Sequence, residues 1–173
     1  MSDPSGHPHL DPAEYRERLR VTVQAPDLQP QPISKSQGGF VTSITHCNKF
    51  VDRVAGWFGY KGFEDTHNDP VLAVRILGIM KSDGHWSPLL GEDRWKWATD
   101  HACFGQLVVA AAEPPPGEQH GHVNVIAPEP DMVESGHWGK AVSKCANAGN
   151  RNFYGEGENF AFKVEPALFL YIG

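Results

Sequence analysis

The sequence has no long hydrophobic run, no cluster of basic residues and no closely spaced cysteine pair. No stretch reaches the ~18 continuous apolar residues that cross a bilayer, and the opening MSDPSGHPHL lacks the charged start and apolar centre of a secretory signal. We therefore expect no membrane span and synthesis in the cytoplasm. The chain has 15 Lys and Arg residues and 21 Asp and Glu residues, which gives a net charge of −6. This charge disfavours a nucleic acid partner, because binding to phosphates needs a basic surface.

Cysteine is scarce, with only Cys47, Cys103 and Cys145 in 173 residues. An odd number without a CxxC pair fits neither a disulfide framework nor a common structural zinc site, so at least one thiol is expected to be free. The 14 prolines and 18 glycines disfavour a long helical bundle and favour many loops and short elements.

The chain is divided by composition into two parts. Residues 1–38 are rich in proline, with one charged segment after Asp11 that favours a short helix, and we interpret them as a loosely packed arm. Residues 39–173 carry the periodic apolar segments and form the predicted domain.

Three helices are predicted in this domain. The first begins behind Thr45 as its N-cap and ends near Gly56 and Gly59, and two more are predicted over residues 69–80 and 93–104. The apolar face of the first helix consists of Cys47, Phe50, Val51, Val54 and Phe58.

Strand composition begins after Gly105. QLVVAAA (106–112) and HVNVIAP (122–128) are predicted to pair as antiparallel strands, and NFAFKV (159–164) and ALFLYIG (167–173) are two further candidate strands. Because helices precede strands, the predicted fold class is α+β, with N-terminal helices packed on a small antiparallel sheet.

Cys47 falls in the first turn of the first predicted helix. Unpaired backbone N–H groups and the positive end of the helix dipole favour a thiolate there and offer donors to a developing oxyanion. This position fits a nucleophile. The alternative is a buried small apolar residue, since Cys47 also lies on the apolar face.

His122 is the candidate base for such a nucleophile. Strand alternation places His122, Asn124 and Ile126 on one face of the predicted strand, and we expect His122 to face the helix that carries Cys47. The alternative is a structural histidine, because the chain holds 9 histidines.

Three segments together resemble a known family. THCNKFV (45–51), G-x-LVVAA (105–111) and GHVNVI (121–126) are similar to the NlpC/P60 and CHAP group of papain-like cysteine peptidases and amidases, many of which cut peptidoglycan, over about residues 40–172. The resemblance implies a papain-like fold without a metal or organic cofactor. It also implies that Cys47 attacks an amide carbonyl and that His122 takes and returns the proton.

The family usually adds a polar residue that orients the histidine from the strand after it. Asn147 is the first choice here, followed by Asn152 and Asn150, although an Asn-Ala-Gly segment is equally typical of a turn. Candidate substrate-binding residues are Asn48, Trp86, Trp138 and His120, with packing as the alternative role for the tryptophans.

The resemblance implies the peptide stem of peptidoglycan as substrate. Because peptidoglycan lies outside the cytoplasm, a non-Sec route is expected, as for an antibacterial effector of a type VI secretion system or a phage lysin. An immunity protein is a further expected partner of an effector.

Four alternatives remain open. HGH (120–122) with Cys47 or Cys145 would make a zinc site, and ESGHWGKAVSKC (134–145) faintly resembles L,D-transpeptidases with Cys145 as nucleophile. A non-catalytic binding module of the same fold and a peptidase acting on cytoplasmic proteins are the others.

Overall fold

The computed structural model describes residues 6–30, 46–116 and 121–173, and shows a mixed α+β architecture. No helix within these ranges is both long and apolar enough to cross a membrane. The α-helices are α1 (Pro12–Val23), α2 (Cys47–Trp57), α3 (Ala73–Ser82) and α4 (Arg94–Cys103).

Six strands form one antiparallel sheet in the order β1-β8-β2-β3-β6-β7. Strands β4 and β5 form a separate antiparallel pair. The strands are β1 (Trp86–Leu89), β2 (Val108–Ala112), β3 (His122–Ile126), β4 (Val133–Ser135), β5 (Lys140–Val142), β6 (Lys144–Asn147), β7 (Phe153–Gly157) and β8 (Ala167–Tyr171).

The sheet separates two apolar clusters. One contains the buried side chains of α1, α2 and α3 together with Val123 and Val125 of β3. The other contains those of α4 together with Ile126. The expected alternation along β3 is therefore present. The residues of β3 that pack in the α2 cluster are the two valines, whereas Ile126, on the His122 face, packs with α4.

The predicted helices of the domain are present, with shifted starts. α2 begins at Cys47 behind His46, which makes no side-chain capping bond, and the expected cap Thr45 lies outside the described residues. α3 begins at Ala73, because Pro70 instead forms an isolated β-bridge with Glu64. α4 matches the predicted segment to within one residue at each end.

The strand predictions are confirmed at 106–112, 122–128 and 167–173 and wrong at 159–164. There the chain leaves β7 in a 3₁₀ turn, Glu158–Phe160, because the Glu158 N–H bonds Ser143 O and the Ala161 N–H bonds Glu158 O. The sequence analysis also missed β1, which interrupts the helical half of the chain and pairs with β8.

The described part of the expected arm is packed into the domain. Tyr15, Leu19 and Val23 recur every four residues on α1 and are fully buried, as is Leu28 after it. Asp11 caps α1 by accepting the N–H groups of residues 13 and 14. Over residues 12–28 the structure thus differs from the loose segment that the proline content indicated.

Candidate functional site

Three elements bring the candidate catalytic residues together. Cys47 is the first residue of α2, His122 the first residue of β3 and Asn147 the last residue of β6. α2 packs on β3, and β3 pairs with β6 in the sheet. The site therefore joins residues that are 75 and 25 positions apart in the chain.

The His122 ring is held from both sides. Its Nε2 lies 2.6 Å from Asn147 Oδ1, and the ring is also hydrogen-bonded to the Cys47 thiol. Asn147 Nδ2 donates to Arg151 O at 2.8 Å, which turns Oδ1 towards the ring. Because Asn147 Oδ1 can only accept a hydrogen bond, Nε2 of His122 must carry the hydrogen. The other ring nitrogen, Nδ1, is therefore the one that bonds to the Cys47 thiol.

The surroundings of His122 favour its protonated form. Burial acts to lower the pKa of His122, because it disfavours the imidazolium, and the hydrogen bond and charge of Cys47 are the first of several effects that oppose it. The hydrogen bond to Asn147 and the charge of Glu158 act in the same direction as Cys47. The net result is a raised pKa, as expected for an imidazolium paired with a thiolate.

Two neighbours define the space around the ring. A Cβ at Gly149 would lie 3.2 Å from His122 Cε1, closer than an ordinary carbon contact, so the missing side chain makes room for the ring. Phe162 packs against the ring with 4.9 Å between centroids. Both contacts limit how far the imidazole moves from Asn147.

His122 and Asn147 also line a cavity of about 600 Å³. Phe160, 62% exposed, and Arg151 belong to its wall. The Cys47 side chain is 1% exposed and is not among the residues that line this cavity. His122 and the largely buried Asn147 thus border this cavity, whereas the thiol does not.

Two of the expected substrate-binding residues have structural contacts instead. Asn48 Nδ2 donates to Val71 O at 3.0 Å and so links the first turn of α2 to the segment that precedes α3. Trp86 is buried on the edge strand β1, against Tyr60 and Phe63. Two strands, β8 and β2, lie between β1 and the His122 strand β3 in the sheet, so Trp86 is not part of this site.

The other two expected substrate-binding residues are Trp138 and His120. Trp138 stacks on Trp95, with 5.9 Å between centroids, and belongs to the α4 cluster; its packing role is the one that the structure supports. His120 lies outside the described residues.

The two second-choice asparagines have different positions. Asn152 Nδ2 donates to Val23 O and Leu28 O, both at 2.9 Å, and its Oδ1 accepts from the Gly149 N–H at 3.0 Å. It therefore fixes the loop that follows β6 to the N-terminal segment. Asn150 is exposed on the cavity wall. Of the three asparagines, Asn147 is the one bonded to the histidine.

Sequence reasoning missed Phe160 and the buried Glu158. Phe160 had been assigned to a strand that does not form. Glu158 is fully buried although it lies between Gly157 and Asn159, where no periodic pattern indicates burial. No sequence signal identifies either residue as part of the site.

The alternatives based on Cys145 find little support. Burial, followed by the charge of Glu158, raises the pKa of the Cys145 thiol well above its ordinary value, which disfavours the thiolate that a nucleophile or zinc ligand needs. In the described ranges, no cluster of three or more His, Cys, Asp or Glu side chains is arranged to hold a metal ion.

Comparison with known proteins adds no relative: no family model, no curated protein and no solved structure matches this chain.

Proposed function

We propose that this protein is a cysteine-dependent amide hydrolase with a papain-like arrangement of its catalytic residues. One observation carries the proposal: the His122 ring is hydrogen-bonded to the Cys47 thiol and, through Nε2, to Asn147 Oδ1. A nucleophile, a base and a residue that orients the base are the parts that covalent amide hydrolysis requires. The resemblance of residues 45–51, 105–111 and 121–126 to NlpC/P60 and CHAP enzymes supports the same fold and chemistry.

In the acylation step, the Cys47 thiolate attacks the amide carbonyl carbon and the C–N bond breaks. His122 Nδ1 gives its proton to the leaving amine, and a thioester remains. Water then attacks the thioester while Nδ1 takes a water proton, releasing the carboxylic acid and regenerating the cysteine. Asn147 keeps Nδ1 directed at the reacting atoms throughout, because it binds the opposite nitrogen. N–H groups at the start of α2 are the candidate oxyanion donors.

The proposed substrate is the peptide stem of peptidoglycan. The family resemblance is its support, and no metal or organic cofactor enters the mechanism. The proposed setting is that of an antibacterial effector or a phage-type lysin. An effector would need an immunity protein in the producing cell.

The test is digestion of purified peptidoglycan, with released fragments identified by mass spectrometry. We expect wild type to release a new amine and carboxylate pair, and Cys47→Ala to release none. Cys103→Ala is the matched control, because it removes a half-buried thiol at the end of α4 and should retain activity. Equal fragment release by wild type and Cys47→Ala would show that Cys47 is not the nucleophile.

The second candidate function is a non-catalytic binding module. The observation in its favour is the covered Cys47 side chain, which is 1% exposed. Iodoacetamide separates the two functions: a thiolate paired with His122 reacts at pH 7 faster than Cys103, whereas an inert buried thiol reacts only on unfolding. Slow alkylation together with no peptidoglycan cleavage would favour the binding module.

A further inference from the structure

Glu158 is a buried acid next to the candidate site. It follows β7 directly and is 0% exposed, with its N–H bonded to Ser143 O at 3.1 Å. Its Oε2 accepts from Asn124 Nδ2 at 2.9 Å. Among the described residues, no lysine or arginine forms an ion pair with it. A buried carboxyl without a basic partner is costly, so its neighbours decide its charge.

The sheet places Glu158 beside the histidine. Alternation along β3 puts Asn124 on the same face as His122, two residues away. Alternation along β6 puts Cys145 on the same face as Asn147, and β3 pairs with β6. Glu158 contacts Asn124 and Cys145, which are the next residues on this face of the sheet after His122 and Asn147. It therefore lies beside the His122–Asn147 pair on the same face.

The ionisable groups that face Glu158 come from β3 and β6. Burial raises the pKa of Glu158 to about 8, against the opposing effects of the Asn124 hydrogen bond, the charge of His122 and the Cys145 hydrogen bond. Burial also raises the pKa of Cys145, so this thiol stays neutral, and Glu156 of β7 acts on Cys145 in the same direction. His122 is therefore the group whose positive charge responds to Glu158.

We propose that Glu158 is a positioning residue for His122: its buried carboxylate stabilises the protonated imidazole through space, and the protonated imidazole in turn stabilises the carboxylate. The inference rests on the proposed function, since it assigns Glu158 a role in keeping the general acid charged.

The charge of Glu158 should affect His122 mainly at alkaline pH. Glu158 becomes ionised as the pH approaches its pKa of about 8, and the carboxylate then opposes the loss of the His122 proton. The pH at which the enzyme loses its general acid is thereby raised. Replacement by glutamine removes this charge and moves the alkaline limb of kcat to lower pH, with a smaller effect on KM.

The test is an NMR titration of the His122 ring in the full chain with native Cys47. The thiol is kept because it contributes to the raised pKa of His122, and its loss would move the titration away from the pH at which Glu158 ionises. His122→Gln identifies the resonance by its loss. We expect Glu158→Gln to lower the pKa of His122 by about one unit, as for loss of a nearby opposite charge. Glu134→Gln, which removes an exposed carboxylate on β4, should leave it unchanged.

A reciprocal measurement covers the case in which Glu158→Gln does not fold. In protein with native Glu158, His122→Gln should raise the midpoint of the Glu158 carboxyl titration, because a coupling is the same in both directions. Unchanged titration in either experiment overturns the inference. Neither readout requires substrate, so coupling without peptidoglycan cleavage refutes only the proposed function, and Cys47-dependent cleavage without coupling refutes only the role of Glu158.

Discussion

Asn147→Ala tests the link that holds His122 in place. The substitution removes the acceptor 2.6 Å from Nε2 while leaving the thiol and the imidazole present. The ring N–H is then left without its partner in an environment where Asn147 is only 4% exposed. Hydrogen bonds to a charged group contribute about 1.5–3 kcal/mol. At about 1.4 kcal/mol per tenfold change in rate, kcat should fall about 10- to 100-fold.

The pKa of His122 should change in a defined direction. Asn147 accepts from the ring N–H and so favours the protonated form, which raises the pKa. Asn147→Ala therefore lowers the pKa of His122 and lets the imidazole lose its proton at lower pH. Initial rates of amine release measured across pH, with the NMR titration of His122, report both effects.

Asn150→Ala is the control, because Asn150 is an exposed asparagine on the same cavity wall and three residues from Asn147. It should retain wild-type kcat and an unchanged His122 titration. If Asn147→Ala keeps kcat within about twofold of wild type and titrates His122 at the wild-type pH, Asn147 does not orient the histidine.

Three further predictions follow from contacts near the site. Gly149→Ala places a methyl group 3.2 Å from His122 Cε1, so the ring should move off Asn147 and kcat should fall about tenfold; a wild-type kcat would contradict this. Asn152→Ala removes a donor from the carbonyls of Leu28 and Val23, of which Val23 O keeps Gln29 Nε2 at 3.3 Å, and should reduce the free energy of unfolding by about 1–3 kcal/mol, measured by urea denaturation. An unchanged midpoint would show that water replaces these bonds. Between pH 4.5 and about 8, folded Glu158 holds a proton that the unfolded chain releases, so stability falls as pH rises. This fall should be smaller in Glu158→Gln by on the order of 5 kcal/mol at most, and parallel stability curves would refute the buried, raised pKa.

Local periodicity in the sequence was enough to place two of the candidate site residues, Cys47 and His122. The apolar face of α2 fixed Cys47 at a helix start, and the alternation in β3 fixed the parity of His122. Asn147 required more, because its role depends on β6 pairing with β3, a contact between segments about 20 residues apart. The family resemblance supplied that expectation, and the hydrogen bond agrees with it.

The remaining differences arise where tertiary contacts override local signals. Trp86 lies in a loop-like sequence with Gly84 and Pro88, yet pairing with β8 makes it a buried strand residue. α1 follows a proline-rich start, yet its apolar residues at intervals of four complete the core beneath it. Glu158 is charged in the sequence and lies between Gly157 and Asn159, and its burial depends on packing against residues of β3 and β6.

The position of β8 has a consequence for how this protein is made. β8 (residues 167–171) lies inside the sheet, between β1 and β2, although it follows the other seven strands of the described residues in the chain. When Cys47, His122 and Asn147 have already been synthesised, the ribosome-bound chain still lacks β8, an internal strand of the sheet that positions them. Because the sheet depends on pairings between distant segments, folding should be slow compared with a helical bundle. The sheet that holds His122 next to Asn147 is thus expected to be incomplete until synthesis has passed residue 171, so the candidate site is assembled late.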